Sequence, residues 1–226
     1  MRVAVVIPAL NEEEALPGVL ADLDRLRPGR VIVVDNGSDD RTPEIALEAG
    51  VELVVETRRG YGSACLAGFA HLEETPPDIV VILDADGSDH VDDLPLLLRP
   101  ILKGEADMVL GERVSLAERG ALMPNQRFGN LLATRLIRRW TGWTYKDMGP
   151  FRAIRWDALQ AMHMTDPAYG WNVEMQMKAV QAGLRIDEVP VRYRPRGGGR
   201  SKISGTIRGT IKAGIGILRA TWRYKP

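Results

Sequence analysis

The chain has 226 residues, 45% of them hydrophobic, enough for one sizeable core. Its 30 basic and 30 acidic residues cancel, and no recognised nucleic-acid module appears, so nucleic acid is excluded as an expected partner. One cysteine, Cys65, rules out an internal disulfide framework and fits a reducing, cytoplasmic compartment.

The opening MRVAVVIPALNEEE is not read as a signal peptide, because its apolar run is short and meets acid at once. No stretch approaches the ~20 apolar residues of a spanning helix. The neutral total hides a division. Residues 1–112 hold 9 Lys and Arg against 23 Asp and Glu, and residues 113–226 hold 21 against 7. Either the halves attract one another, or the first holds a metal and the second receives phosphates or an anionic surface.

In chain order, apolar runs predict strands at 3–7, 31–34, 51–55 and 79–83, with a weaker one at 107–111. Stretches of mixed apolar and polar residues between them predict helices at 12–27, 42–49, 61–74 and 92–103. Thr42 before Pro43 marks a helix start. Such alternation with near-continuous apolar strands predicts an α/β fold, a mostly parallel sheet covered on both faces. The second half predicts helices at 124–141, 157–162 and 171–182, a strand at 184–193, a loop at 194–205 and a last helix at 206–223. The whole, 1–226, is expected to be a single domain.

Notable polar residues follow the strands: Pro8 and Asn11 the first, Asp35 the second, Asp84 and Asp86 the fourth, Arg113 the fifth. Open α/β sheets bind ligands outside the carboxyl ends of their strands. Asp84-Ala85-Asp86 sets two carboxylates together, which repel unless a cation or donors intervene. Hard oxygen ligands suit Mg²⁺ or Mn²⁺; the alternative is a solvated turn in which Asp89 and Asp92 cap the next helix. Gly60-x-Gly62 lets backbone come close to a ligand at a helix start.

The ordered set VVIPALNEEE, VIVVDNGSDDRT, RGYGSACLAG, ILDADGSDH, LGERV, DMGPFRAIR, YGWNVEMQMKA and RGGGRSKISGT resembles glycosyltransferase family 2. Within that family it resembles the dolichyl- or polyprenyl-phosphate mannose synthase-like members. The resemblance implies the GT-A fold and a nucleotide-sugar site of Pro8, Asn11, Glu12, Asp35, Gly60, Gly62, Asp84, Ala85, Asp86 and Arg113. Relatives often carry Gln two residues after the second Asp. Here Ser88 stands there, followed by Asp89, so the expected metal ligands are Asp86, Asp84 and, as a substitute, Asp89.

Asp147 and Glu174 are the carboxylates that could serve as a general base, with Asp86 the third expected catalytic residue. A structural ion pair is the equal alternative for Glu174. A phosphate acceptor would need no base. The resemblance assigns Arg113, Arg127, Arg200, Ser201 and Lys202 to phosphate binding; Arg152 joins the converging basic residues, and Arg194 and Arg196 read as a solvated basic loop. On the last helix Arg208, Lys212, Arg219 and Arg223 share a sector beside Ile207, Ile211, Ile215, Leu218 and Trp222. That apolar face either meets a membrane interface or packs on the core.

The implied activity is inverting hexosyl transfer from a nucleotide-sugar, GDP-mannose slightly ahead of UDP-glucose, to a polyprenyl phosphate at the cytosolic membrane face. A soluble or glycan hydroxyl acceptor is the closest alternative. A sugar-1-phosphate nucleotidyltransferase and a non-catalytic nucleotide-sugar binding module are the alternatives of other classes.

Overall fold

The structure, a computed structural model, describes residues 1–168, 170–198 and 207–225, with side chains for all of these except 207–213. The first half alternates strand and helix: β1 (Val3–Ala9), α1 (Leu16–Leu26), β2 (Arg30–Asp35), α2 (Thr42–Glu48), β3 (Glu52–Val55), α3 (Tyr61–Leu72) and β4 (Ile79–Ile82). A 3-10 turn at Val91–Asp93 leads into α4 (Leu94–Leu102) and β5 (Met108–Glu112). There follow α5 (Pro124–Thr141), β6 (Arg152–Arg155), α6 (Trp156–Ala161), α7 (Trp171–Gln181), β7 (Ile186–Pro190) and α8 (Ile207–Arg223).

Seven strands form one sheet in the order β3-β2-β1-β4-β6-β5-β7. All neighbouring pairs are parallel except those of β6, which runs antiparallel to both β4 and β5. The mostly parallel α/β sheet expected from the sequence is borne out. Continuous apolar strands are needed because both faces are buried. Ala4, Val6, Val80 and Ile82 pack with Cys65, Phe69 and Trp171 on one face. Val5, Ile7, Ile79 and Val81 pack with Leu16, Leu20, Leu94 and Leu97 on the other.

The strand β6 was not anticipated. Its sequence, Arg-Ala-Ile-Arg, is four residues long and half arginine. It is a strand because it fills the gap between β4 and β5, with Arg152 opposite both Ile82 and Leu110. Arg152 is thereby fully buried rather than part of a basic surface. Its guanidinium donates to the carbonyls of Gly149 and Pro150 and to the Met175 sulfur, and burial lowers its pKa.

Outside the site, two carboxylates are held near the sheet by arginine. Arg30 forks onto Glu52 at 2.7 Å, with His71 on the same carboxylate, and Arg185 holds Asp107. Both carboxyls are lowered to about 2, chiefly by these hydrogen bonds. A depressed folded-state pKa contributes stability above the ordinary carboxylate range and loses it as pH falls toward 2. The melting temperature is therefore expected to fall as pH drops from about 4.5 to 2. Glu52→Gln combined with Asp107→Asn should flatten that slope in a calorimetric pH series. The effect is modest, because Glu52 is partly exposed and solvent screens it.

Candidate active site

The carboxyl ends of β1, β4 and β5 bring the site residues together. Just after β4, Asp84 accepts a hydrogen bond from the Tyr61 hydroxyl at 3.0 Å. Asp86 accepts from the Ser88 amide at 2.8 Å, which fixes its carboxylate. Burial first, and the charge of Asp86 second, raise Asp84 to about 7. Two crowded carboxylates repel one another, and a divalent ion is one way to relieve that repulsion.

Two cavities meet at these residues, and a third adjoins them through Arg113. One of about 370 Å³ is lined by Pro8, Glu12, Asn36, Arg59, Gly60, Tyr61, Asp84, Ala85, Asp86 and Arg196. A second, about 310 Å³, shares Tyr61, Asp84, Asp86 and Arg196 and adds Arg113, Trp171, Asn172 and Tyr193. The third, about 260 Å³, lies between Arg113 and α5 and is lined by Arg127, Lys146 and Asp147. Arg113 joins the second to the third. A larger depression, about 900 Å³, lies at the opposite end of the sheet beside Arg27, Glu48 and Val51 and gathers none of this chemistry.

Several expected residues serve the loops instead. The Asp35 carboxylate accepts from the amides of Gly37 and Ser38, a local turn that holds its own backbone. Asn11 (φ 50°) takes the amide of Asp39 on its side chain, while its own amide donates to Ser38. Neither lines the 370 Å³ cavity. Gly60 and Gly62 are needed for a different close approach from the one expected: a Cβ at Gly60 would collide with the Pro167 carbonyl, and one at Gly62 with the backbone of Asp166 and Pro167. Asn36, which does line the cavity, binds the carbonyls of Glu56 and Arg58 and the amide of Gly60.

Asp89 is not part of a three-aspartate cage. Its carboxylate is buried, has no hydrogen-bond partner among the described residues and lines none of the three cavities. Burial, then Asp84, pushes its pKa well up, which favours the neutral acid. Among the described residues no three His, Cys, Asp or Glu side chains converge as a metal cage. An ion on Asp84 and Asp86 would need oxygens from a substrate or water, the usual habit of Mg²⁺.

The two candidate bases are already engaged. Asp147 is 1% exposed and accepts from the Arg113 amide, Nε and Nη2 at 2.8–2.9 Å and from the Met148 amide at 2.7 Å. Burial alone would raise this carboxyl, but Arg113 outweighs it and holds it below its ordinary value. Arg113 in turn lies over the Tyr193 ring, 4.9 Å from its centroid. Glu174, fully buried, accepts from the Thr165 amide and hydroxyl and the Asp166 amide, and pairs with Lys178 at 2.8 Å. It pins the segment that packs on Gly60 and Gly62.

Arg127 lines the third cavity. Arg200, Ser201 and Lys202 lie outside the described residues, as do the side chains of Arg208 and Lys212. The residue that sequence reasoning passed over is Arg196. Instead of sitting in solvent, it bridges Asp86 at 2.8 Å and Glu12 at 2.6–2.7 Å. The signal was electrostatic: an acidic strand end needs a cation, and a glycine-rich loop can bring one. Tyr61 was also overlooked, although it lies between Gly60 and Gly62.

A family model described as "Glycosyl transferase family 2" matches residues 4–162. The chain belongs to glycosyl transferase family 2. It is 42% identical to an uncharacterised glycosyltransferase of Mycobacterium tuberculosis, over 93% of this chain and 94% of that one. It is 38% identical to a dolichyl-phosphate hexose transferase of Haloferax volcanii (86% and 84% covered), and 34% identical to an undecaprenyl-phosphate mannosyltransferase of Micrococcus luteus (92% and 90%). In fold it resembles glucosyl-3-phosphoglycerate synthase of M. tuberculosis, solved with Mn²⁺, UDP-glucose and phosphoglyceric acid. That likeness has a TM-score of 0.76 at 24% identity, covering 98% of this chain and 80% of that one. Family membership and these relatives make the chain a glycosyltransferase with the GT-A fold.

Proposed function

We propose that this family 2 enzyme moves a hexose from a nucleoside diphosphate sugar to the phosphate of a polyprenyl phosphate, with inversion at the anomeric carbon. The observation that carries the choice of acceptor is the engagement of Asp147 and Glu174. Each carboxylate is buried and already accepts several donors, so neither is free to take a proton from a hydroxyl acceptor. A phosphate is already anionic and attacks without a base.

The donor's nucleotide fits the 370 Å³ cavity and its sugar the 310 Å³ one, with Asp84 and Asp86 at their junction. Mg²⁺ or Mn²⁺ held there would offset charge on the departing diphosphate. Arg113, kept at a fixed angle by Asp147 and Tyr193, faces the sugar cavity on one side and the Arg127–Lys146 cavity on the other. Three cations around the third cavity suit a phosphate.

Beyond that cavity lies an apolar and basic face. Phe128 and Leu131 on α5 and Ile215, Leu218 and Trp222 on α8 are exposed. Neither helix carries an acidic residue, while Arg135, Arg138, Arg139, Arg219 and Arg223 are exposed beside them. The core contacts of α8 come from another face, through Ile217, Ala220 and Tyr224. No helix among the described residues is long and apolar enough to cross a membrane. Such a face suits peripheral contact with a cytosolic membrane surface carrying a polyprenol chain.

A second reading keeps the phosphate but frees the lipid: a soluble phosphorylated acceptor would use the same cations. Purified enzyme with Mn²⁺ and GDP-mannose or UDP-glucose separates them. Sugar transfer is expected to a polyprenyl phosphate, and not to the matching polyprenol or to phosphoglycerate. Equal transfer to the unphosphorylated alcohol would overturn the phosphate-acceptor assignment.

A further inference from the structure

We infer that Arg196 is a built-in counter-cation of the donor site: it stands in for the divalent ion while donor is absent, and leaves Asp86 when the ion and diphosphate enter. The inference rests on the proposed use of Asp84 and Asp86 as metal ligands and adds how that site is kept stable and opened.

The geometry is that of a cation held by a carboxylate pair from distant parts of the chain. One guanidinium nitrogen lies 2.8 Å from Asp86 Oδ2, and another lies 2.7 and 2.6 Å from the two Glu12 oxygens. Glu12 follows β1 and Asp86 follows β4, so the arginine ties two adjacent strand ends across the cavity mouth. It lines both the proposed nucleotide cavity and the proposed sugar cavity, which places its charge where the diphosphate would lie.

The neighbouring backbone is built to present it. The Gly197 amide donates to the Asp86 carbonyl at 3.0 Å, and the Arg194 amide to the Ser88 carbonyl at 2.9 Å. The Arg194 side chain donates to the Gly87 carbonyl at 2.7 Å. Residues 194–197 therefore lie along the turn that carries Asp84 and Asp86, joined to it by three hydrogen bonds besides the ion pair.

A guanidinium and a divalent ion cannot share the same carboxylate oxygen cheaply. Metal–oxygen contacts of about 2.1 Å would set the two cations within a few ångströms of each other. Asp86 Oδ1 already receives the Ser88 amide, so Oδ2, the oxygen under Arg196, is the more available for metal. Once displaced, the guanidinium has a new partner within reach, the diphosphate, to which its planar fork is matched. One charge then serves two states: it offsets Asp86 and Glu12 before loading and the phosphates after it.

The test compares wild type, Arg196→Gln and Arg196→Lys by Mn²⁺ binding, followed by electron paramagnetic resonance, and by melting temperature. Without nucleotide, Arg196→Gln is expected to bind Mn²⁺ about tenfold or more tightly than wild type, with Arg196→Lys between them. With GDP or UDP present the gap should shrink or reverse, because the wild-type arginine then contacts phosphate. In a chelator the Gln variant should melt below wild type, and saturating Mn²⁺ should remove the deficit, which a merely structural loop contact would not do. Equal or weaker Mn²⁺ binding by Arg196→Gln, alongside nucleotide-dependent Mn²⁺ binding by wild type, would overturn the counter-cation and leave the metal site standing. Absence of Mn²⁺ binding in all three proteins, with and without nucleotide, would overturn both.

Discussion

Asp86→Asn is expected to lower turnover by on the order of 10³ or more at saturating Mn²⁺, with the fold intact. The substitution is nearly isosteric. The carboxamide oxygen can still accept the Ser88 amide bond that orients the side chain, so the turn after β4 should persist. What disappears is one negative charge where the 370 Å³ and 310 Å³ cavities meet. A neutral amide is a poor ligand for Mg²⁺ or Mn²⁺, and the diphosphate would leave without its counter-charge. The measurement is initial rate against Mn²⁺ concentration, with circular dichroism and melting as controls. A folded Asp86→Asn protein within tenfold of wild type would remove the metal role from this residue.

The second large effect is expected at Asp147, and it separates two roles for one carboxylate. Asp147→Asn replaces one of the oxygens facing the Arg113 fork by an amide nitrogen and leaves that largely enclosed guanidinium, 12% exposed, without its charge partner. Breaking a buried pair costs about 3–5 kcal/mol, so a fall in melting temperature is expected. If Asp147 positions Arg113, the surviving enzyme should show a large rise in acceptor KM with the acid limb of the pH–rate profile unchanged. If Asp147 were the general base, kcat would collapse and that limb would vanish. Asp147→Glu, which keeps the charge but lengthens the side chain, should restore part of the stability and little of the acceptor affinity. A normal acceptor KM in Asp147→Asn would sink the positioning role.

The parts of the molecule that were legible in the sequence are those that local chemistry decides. Runs such as Ile79–Ile82 must lie in a doubly covered sheet, and the aspartates beyond them had to mark its carboxyl edge. What was not legible depends on partners distant in sequence. Arg152 reads as a surface cation until β6 is seen wedged between β4 and β5. Asp89 reads as a ligand, yet its carboxylate is buried and lines none of the cavities. Asp35 reads as a nucleotide contact, yet its carboxylate holds its own turn. The pairing of Arg196 with Glu12 spans 184 residues, a separation at which no local pattern carries information.

The antiparallel wedge also acts as a gauge. Adjacent strands lie about 4.8 Å apart, so β6 holds the ends of β4 and β5 roughly 10 Å from each other. One edge carries the aspartates, the other Arg113. Joined side by side, those two edges would lose the width that the 310 Å³ cavity spans between Asp84 and Arg113. Because the wedge runs backwards, its entrance rather than its exit meets that rim, and Asp147 arrives five residues ahead of Arg152, beside the arginine it anchors.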